Sequence, residues 1–178
     1  MDETVDERLG AYAELVRKWA PRVNLIAAGD LEHLEARHIE DSLRALPLVT
    51  EAPEGPGIDL GSGAGLPGVP LAIAEPGRHW RMLEPRAKRA AFLEEVAREL
   101  GLTYEVIRLT AQEAAHDRAF ARVHAVATAR ALAPPEEAAS LLRPLLAPDG
   151  VGILFLGADA ALPEGAEAAV PGLAIIGP

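Results

Sequence analysis

The chain contains no cysteine, so disulfide bonds and thiolate metal sites are excluded. Aromatic residues are scarce, at 4% of the 178 residues, whereas 49% of the residues are hydrophobic, which is enough for one domain with an aliphatic core. No apolar run approaches the roughly 20 residues that cross a bilayer, and no apolar N-terminal stretch resembles a signal peptide. These absences predict a soluble, cytoplasmic protein that does not enter a membrane.

Positive charge is also in short supply, because 17 Lys and Arg stand against 27 Asp and Glu, a formal net charge of −10. This acidity argues against a nucleic-acid partner, since such proteins usually carry a basic face. Local distribution matters more than the total. Five basic residues are crowded together: Arg78, Arg81, Arg86, Lys88 and Arg89. This cluster either follows the phosphates of an RNA or forms a solvated face beside Glu84, Glu94 and Glu95.

Two helices precede anything with the pattern of a strand. Apolar residues at helical spacing predict an amphipathic helix over 4–19 and a second helix from near Asp30 to near Leu46. A stretch rich in glycine and proline, 50–57, follows them. We therefore divide the chain into an N-terminal helical extension, 1–49, packed on the core, and a second domain, 57–178.

From residue 57 onward, short strands alternate with helices. The predicted strands are 57–60, 80–83, 104–108, 123–128 and 151–156. The predicted helices are 66–74, 86–100, a short one from Ala111, and 135–146. This alternation predicts an α/β fold with a mostly parallel sheet flanked by helices. The tail after residue 157 holds one apolar patch, 173–176, to which we assign no strand.

Three glycines at alternate positions, Gly61, Gly63 and Gly65, follow the first strand. Glycine permits positive φ and a close approach of ligand to main chain, and the helix that follows offers free N–H groups. A dinucleotide fingerprint that begins at Gly61 fails at Leu66, although one that begins at Gly63 fits, and no Lys completes a Walker A pattern. Asp59 suits the cationic S-adenosylmethionine (SAM) and repels a pyrophosphate. The turn therefore predicts SAM binding; the alternative is a tight turn without a ligand.

Glu84 ends the second predicted strand. An acid at this position of a doubly wound sheet reaches the ribose hydroxyls of a nucleoside, and the same carboxylate can stabilise the start of the next helix.

None of the five histidines has the spacing of metal ligands, so no metal site is predicted.

Three segments together resemble the RsmG (GidB) family. They are Arg37-His38-Ile39-Glu40-Asp41-Ser42-Leu43, residues 59–68 and residues 127–134. The resemblance runs from about residue 24 to about residue 157. It implies a class I, Rossmann-like methyltransferase fold with two extra N-terminal helices. It also implies SAM-dependent methylation of N7 of a guanine in the 16S ribosomal RNA of the small subunit.

The glycine turn, the strand-end acid, the basic cluster and the resemblance together give two sets of candidate residues. The cofactor-binding candidates are Asp59, Gly61, Ser62, Gly63, Gly65, Leu66, Glu84, Ala111, Gln112 and Arg130. The RNA-binding candidates are Arg37, His38, Arg86, Lys88 and Arg89. The resemblance implies that Ala111 and Gln112 lie by the adenine and that Arg130 lies near cofactor and substrate. We name no catalytic base, because guanine N7 has a free lone pair.

Structural roles compete with these assignments. Arg37 can pair with Asp41 four residues on, and Arg130 can pair with Glu136 or Glu137.

The chain departs from the family pattern in three places. Thr110 and Leu156 stand where the family usually has Arg and Lys, and the family's further C-terminal strand is not found before Pro178. Thr110 and Glu113 instead have the spacing of a capping box. We therefore expect that two positive charges and a strand of the sheet are missing. These losses favour two alternatives: a methyltransferase for a small molecule, and a catalytically weakened SAM-binding protein.

Overall fold

The computed structural model describes residues 3–178. A 3-10 stretch (Ala28–His33) and a π-helical stretch (Glu35–Ile39) lie between the first two α-helices. The α-helices are α1 (Glu3–Trp19), α2 (Glu40–Leu43), α3 (Leu46–Glu51), α4 (Gly68–Ala74), α5 (Ala87–Leu100), α6 (Ala111–His116) and α7 (Pro135–Leu142). The strands are β1 (Gly57–Leu60), β2 (Trp80–Leu83), β3 (Glu105–Ile107), β4 (His124–Arg130), β5 (Leu146–Phe155), β6 (Ala166–Val170) and β7 (Leu173–Ile176).

The seven strands form one sheet in the order β3-β2-β1-β4-β5-β7-β6. The first five strands are parallel, so their carboxyl ends meet at one edge. β1 lies between β2 and β4, where the strand order reverses, and a crevice for ligands opens outside such a point. The predicted α/β fold with a mostly parallel sheet is confirmed.

The tail of the chain corrects one prediction. β7 pairs antiparallel with β5, and β6 pairs antiparallel with β7, so the expected loss of a strand is wrong. Gly172, at φ +82°, turns the chain between the two strands. Gly152 of β5 allows β7 to approach closely, because a Cβ there would lie 2.9 Å from the Cβ of Ile176. The hairpin therefore depends on pairing with β5.

The N-terminal part agrees with the prediction in its first helix only. α1 buries Leu9, Tyr12 and Val16, as the apolar spacing predicts. The second predicted helix is wrong as a single element, because it consists of short 3-10, π and α segments. A proline inside a helix lacks the N–H donor and clashes with the carbonyl four residues before it, which kinks or breaks the helix. Pro47 instead lies in the first turn of the new helix α3, where a proline is tolerated.

Two hydrophobic clusters cover the two faces of the sheet. One joins α1, the segments after it, α4 and α5, and includes an edge-to-face contact between Trp19 and Phe92 with ring centroids 5.7 Å apart. The other joins α6 and α7 to the opposite face. The N-terminal elements therefore share a core with the sheet.

Two strand boundaries matter for the site. β4 extends to Arg130, two residues further than predicted, which brings Arg130 to the carboxyl edge of the sheet. β5 begins at Leu146, where the sequence predicts the end of a helix, because α7 ends at Leu142 shortly before Pro144. Across residues 3–178, no helix has the length and apolarity that a bilayer crossing requires.

Candidate functional site

The glycine turn at the end of β1 has the backbone that its sequence predicts. Gly61, Gly63 and Gly65 have φ of +68°, +56° and +94°, a region that side chains strongly disfavour. A Cβ on Gly65 would lie 2.5 Å from Val69 Cγ2. From the other side, Tyr12 donates a hydrogen bond of 2.7 Å to the carbonyl of Ala64. The turn is therefore fixed between α1 and α4.

Three cavities follow one another along the carboxyl edge. The Glu84 cavity, about 290 Å³, is lined by Gly61, Glu84, Pro85, Arg86, Arg89, Thr110, Ala111, Gln112, Ala131 and Leu132. The His38 cavity, about 210 Å³, is lined by Leu25, Ile26, His38, Gly61, Ser62, Gly63, Ala64, Leu66, Arg89, Arg130 and Ala131. The Asp41 cavity, about 440 Å³, is lined by Asp41, Arg130, Ala131, Ala133, Pro135, Leu154, Phe155, Leu156, Gly157, Ala160 and Gly172.

Shared residues connect the cavities. Gly61 and Arg89 line both the Glu84 and the His38 cavity, and Arg130 lines both the His38 and the Asp41 cavity. Ala131, at φ +51°, lines all three. Of the ten cofactor-binding candidates, all except Asp59 and Gly65 line the Glu84 cavity or the His38 cavity.

Asp59 lies beneath the turn. Its side chain is fully buried, and its Oδ1 accepts a hydrogen bond of 2.7 Å from Thr128 Oγ1 in the neighbouring strand. Burial raises the pKa of this carboxyl to about 6, although its hydrogen bonds act in the opposite direction. Direct contact between Asp59 and a cofactor does not fit this position. The residue instead stabilises the turn from the interior of the sheet.

Glu84 holds the glycine turn against the start of α5. Its side chain is buried, Oε2 accepts the backbone N–H of Gly63 at 3.0 Å, and Oε1 accepts the N–H of Arg86 at 2.8 Å. A carboxylate oxygen has more than one lone pair, so both oxygens can still accept from hydroxyl groups in the Glu84 cavity. The carboxylate thus supports the helix while it lines the cavity, and its contact with a ribose stays a prediction.

Arg130 joins β4 to the Arg37–Ser42 segment. Its Nη1 donates to the carbonyl of His38 at 3.2 Å and to Ser42 Oγ at 3.4 Å. Its Nη2 donates to the carbonyl of Arg37 at 3.4 Å and to His38 Nδ1 at 2.6 Å. Its Nε lies 3.6 Å from Asp41 Oδ2. The four hydrogens of the two terminal nitrogens are thus engaged within the protein.

His38 is held as a neutral acceptor. A guanidinium only donates, so Nδ1 of His38 accepts from Arg130 and the ring proton belongs on Nε2, 3.7 Å from Asp30 Oδ2. Burial, followed by the positive charge of Arg130, lowers the pKa of His38. The ring is therefore uncharged at neutral pH.

Within residues 3–178, no group of three or more His, Asp or Glu side chains is arranged to hold a metal ion.

Two ion pairs differ from the sequence alternatives. Arg37 pairs with Asp30 at 3.2 Å and not with Asp41, because residues 35–39 are π-helical and the four-residue spacing no longer aligns side chains. Arg130 pairs with Asp41 and not with Glu136 or Glu137. Glu136 instead accepts the backbone N–H of residue 164 at 2.9 Å.

The basic cluster divides into two parts. The side chain of Arg78 is 5% exposed and donates to three backbone carbonyls, and Arg81 lies 5.6 Å from the ring centroid of Phe120. Arg89 donates to the carbonyl of Asn24. Arg86 and Lys88 are exposed. They line an open hollow of about 540 Å³ that also includes Arg22, a residue that sequence reasoning missed.

The sheet order, the glycine turn after β1 and the acid after β2 define a class I methyltransferase fold. Solved structures share it. A protein from Corynebacterium glutamicum superposes with a TM-score of 0.67 at 15% identity, covering 94% of this chain and 89% of that one. A Precorrin-6y C5,15-methyltransferase from Geobacter metallireducens superposes with a TM-score of 0.52 at 15% identity, covering 73% and 63%. Identities this low show the fold alone.

Residues 5–168 match the family described as rRNA small subunit methyltransferase G, and the chain belongs to this family. A Ribosomal RNA small subunit methyltransferase G from Paracoccus denitrificans is 42% identical over 151 residues, which cover 85% of this chain and 76% of the relative. One of the same name from Granulibacter bethesdensis is 42% identical over 156 residues, 86% of this chain and 69% of the relative. The resemblance in the sequence is thus confirmed.

Proposed function

We propose that the protein transfers a methyl group from SAM to N7 of a guanine in the 16S RNA of the small ribosomal subunit. One observation carries this proposal: three cavities lie in succession along the carboxyl edge, where Ala131 lines all three and Gly61 and Arg130 each line two neighbouring ones. A cofactor and a base can therefore meet end to end. Family membership supports ribosomal RNA as the substrate, and the proposal includes that the protein acts on it in the cytoplasm.

The Glu84 and His38 cavities hold the cofactor in this proposal. Glu84 accepts from the ribose hydroxyls, while Ala111 and Gln112 lie against the adenine. The backbone of Gly61 and Gly63 contacts the methionine part, because these two residues lack side chains and leave room there. When bound, SAM supplies an electrophilic methyl group on a sulfonium.

The Asp41 cavity receives the target base. Its lining is apolar apart from Asp41 and Arg130, so a purine ring can replace water there. Guanine N7 carries its own lone pair, and no side chain has to remove a proton. This agrees with His38, whose Nδ1 is already engaged by Arg130. The residues of this cavity orient the base rather than activate it.

Phosphates of the RNA bind at the exposed basic residues beside the Glu84 cavity. Arg22, Arg86 and Lys88 supply the charge there, and Arg37 adds an exposed guanidinium at the other end of the site. Two further sequence candidates act differently in this proposal. Arg89 is bonded to Asn24, and His38 is bonded to Arg130, so both support the cofactor cavity instead of holding phosphates.

The test uses small ribosomal subunits from cells that lack this modification. With methyl-labelled SAM, we expect label in 16S RNA as 7-methylguanosine, identified by nucleoside mass spectrometry. The position follows from borohydride and aniline cleavage at the modified base, read by primer extension. In a parallel reaction, a protein-free cell extract replaces the subunits. Transfer of the labelled methyl group to a small molecule of that extract would support the small-molecule alternative. SAM binding measured by calorimetry, without methylation of either substrate, would contradict the proposal and leave a SAM-binding protein.

A further inference from the structure

We infer that Asp41 determines specificity by reading the Watson–Crick edge of the target guanine. This inference rests on the proposed function and adds a residue role to it. Asp41 is the only carboxylate among the residues that line the 440 Å³ cavity, and Arg130 is the only cation. The other side chains of the lining are hydrocarbon, so Asp41 supplies the side-chain acceptor that can face the base.

The carboxylate of Asp41 is fixed but not saturated. Its Oδ1 accepts from Arg44 Nη1 at 2.9 Å. Its Oδ2 lies 3.6 Å from Arg130 Nε, which is too long for a hydrogen bond. In the described part of the chain, Oδ2 accepts no hydrogen bond, and the side chain is 29% exposed. Asp41 therefore presents an open acceptor to the cavity.

Three elements hold this carboxylate in place. Arg44, which bonds Oδ1, also donates to the carbonyl of Pro171 in the turn between β6 and β7. Arg130 approaches Oδ2 from the end of β4. The direction of the acceptor is thus set by α2, by β4 and by the C-terminal hairpin. Such support from separate elements is what a group needs in order to read a base edge.

A carboxylate at this place distinguishes the two purines. Guanine and adenine both have a nucleophilic N7, so that atom alone cannot select between them. Guanine presents two donors on its Watson–Crick edge, N1–H and N2–H, and both suit an acceptor-only group. Adenine presents a lone pair at N1 instead, which a carboxylate repels. Asp41 thereby favours binding of guanine and disfavours binding of adenine.

The same contact favours the reaction itself. In the step, the bond between N7 and the methyl carbon forms as the sulfur–methyl bond breaks. The electron pair of that bond stays on sulfur, the positive charge passes to the guanine ring, and no proton moves. A negative carboxylate against the ring interacts more strongly with the charged product-like ring than with neutral guanine, which lowers the barrier.

The experiment changes one atom group on each side of the contact. The guanosine that the wild type methylates is replaced by inosine, which keeps N7 and N1–H but lacks the 2-amino group. The substrate is otherwise the same reconstituted small subunit, and kcat/KM is measured for wild type and Asp41→Asn. The matched control is Asp30→Asn, which removes a nearby carboxylate that lines none of the three cavities.

We expect inosine to lower kcat/KM of the wild type about 10- to 150-fold, the range for loss of a hydrogen bond to a charged group. Asp41→Asn should lower methylation of guanosine by a similar factor and narrow the guanosine-to-inosine ratio to about threefold or less. Asp30→Asn should keep the wild-type ratio. A residue that only supports the fold would lower both rates together and leave the ratio unchanged.

Three results overturn the inference, and they distinguish its failure from that of the proposed function. Equal rates of the wild type on guanosine and inosine, or an unchanged ratio in Asp41→Asn, refute the role of Asp41 while guanosine methylation stands. The wild-type arm needs no variant, so a misfolded Asp41→Asn does not weaken the test. Absence of guanosine methylation by the wild type refutes the proposed function and this inference with it.

Discussion

Arg130 offers a sharp test of how the site is held together. Replacement by alanine removes the guanidinium that connects β4 to His38, Ser42 and Asp41. Because its terminal hydrogens are all engaged within the protein, we treat Arg130 as a positioning residue. Its loss acts on methyl transfer by releasing Asp41 and His38 from their places.

The contacts give a magnitude for each effect. Two contacts are short enough to count fully, those to the carbonyl and to Nδ1 of His38, at 3.2 and 2.6 Å. At about 1 kcal/mol each, Arg130→Ala should lower stability by about 2 kcal/mol, or roughly 4–8 °C in Tm for a chain of this length. A displacement of about 1 Å in an orienting group costs about 100-fold in rate. We therefore expect kcat/KM to fall about 10- to 100-fold, with SAM affinity changed by about threefold or less.

The assay measures three properties of the same preparation: Tm, SAM affinity by calorimetry and single-turnover methylation per folded molecule. Arg78→Ala is the matched control, because Arg78 is a poorly exposed arginine that donates to three carbonyls away from the three cavities. It should lower Tm while turnover per folded molecule persists. If Arg130→Ala behaves like Arg78→Ala, the positioning argument is refuted and Arg130 is a structural residue.

Three further predictions address the cofactor, the RNA and the pH dependence of folding. Gly63→Val should reduce SAM affinity at least about 100-fold by filling the His38 cavity, whereas Gly101→Val, with φ +61° and no atom near its Cβ, should cost only the same left-handed strain in stability. Lys88→Glu should weaken binding to small subunits and reduce the salt dependence by about one to two charges, whereas Arg118→Glu, in the loop before β4, should have little effect. We expect the stability of the wild type to fall between about pH 6.5 and pH 4, and His124→Gln should make this fall smaller.

The sign of the pH effect follows from the burial of His124. Burial lowers its pKa to about 4, whereas the unfolded chain titrates near 6.5. Between these values the unfolded state binds more protons, so this contribution is complete above pH 6.5 and declines as the pH falls, by up to about 3 kcal/mol. Urea unfolding of both proteins from pH 4 to 8 isolates the term as their difference. A difference in unfolding free energy that stays constant with pH would contradict this role of His124. Equal SAM affinity of Gly63→Val and the wild type would contradict the cofactor site. Equal salt dependence of subunit binding in Lys88→Glu and the wild type would contradict the basic surface.

Local patterns predicted the first half of the sheet well. The span from β1 to α5 could be predicted from residues close together in sequence: a buried strand, glycines that tolerate positive φ and an acid at the end of the next strand. The C-terminal hairpin was missed because an alanine- and glycine-rich segment has weak strand propensity of its own. Its stability comes from pairing with β5, a contact between residues that no local pattern connects.

In the candidate site, too, local features could be predicted from the sequence and long-range contacts could not. Residues on the turn could be assigned from sequence because one loop carries them all. Asp59 could not be placed, because a parallel strand is buried on both faces and sequence does not show which way its acid points. The contact of Arg130 with His38 and Asp41 spans about 90 residues and needs the π-helical stretch, so it could not be predicted either.

The proposed RNA substrate requires this acidic protein to have its positive charge at particular places. In the described part of the chain, nine arginines are engaged in contacts inside the protein or with neighbouring carboxylates, namely Arg17, Arg37, Arg44, Arg78, Arg81, Arg89, Arg98, Arg130 and Arg143. With a net charge of −10, contact with arbitrary phosphates gains little, so we expect non-specific RNA binding to be weak. Discrimination then falls to groups that act at short range. A carboxylate such as Asp41 fits this demand, because it repels a phosphate or the N1 lone pair of adenine and gains only when the two donors of guanine meet it.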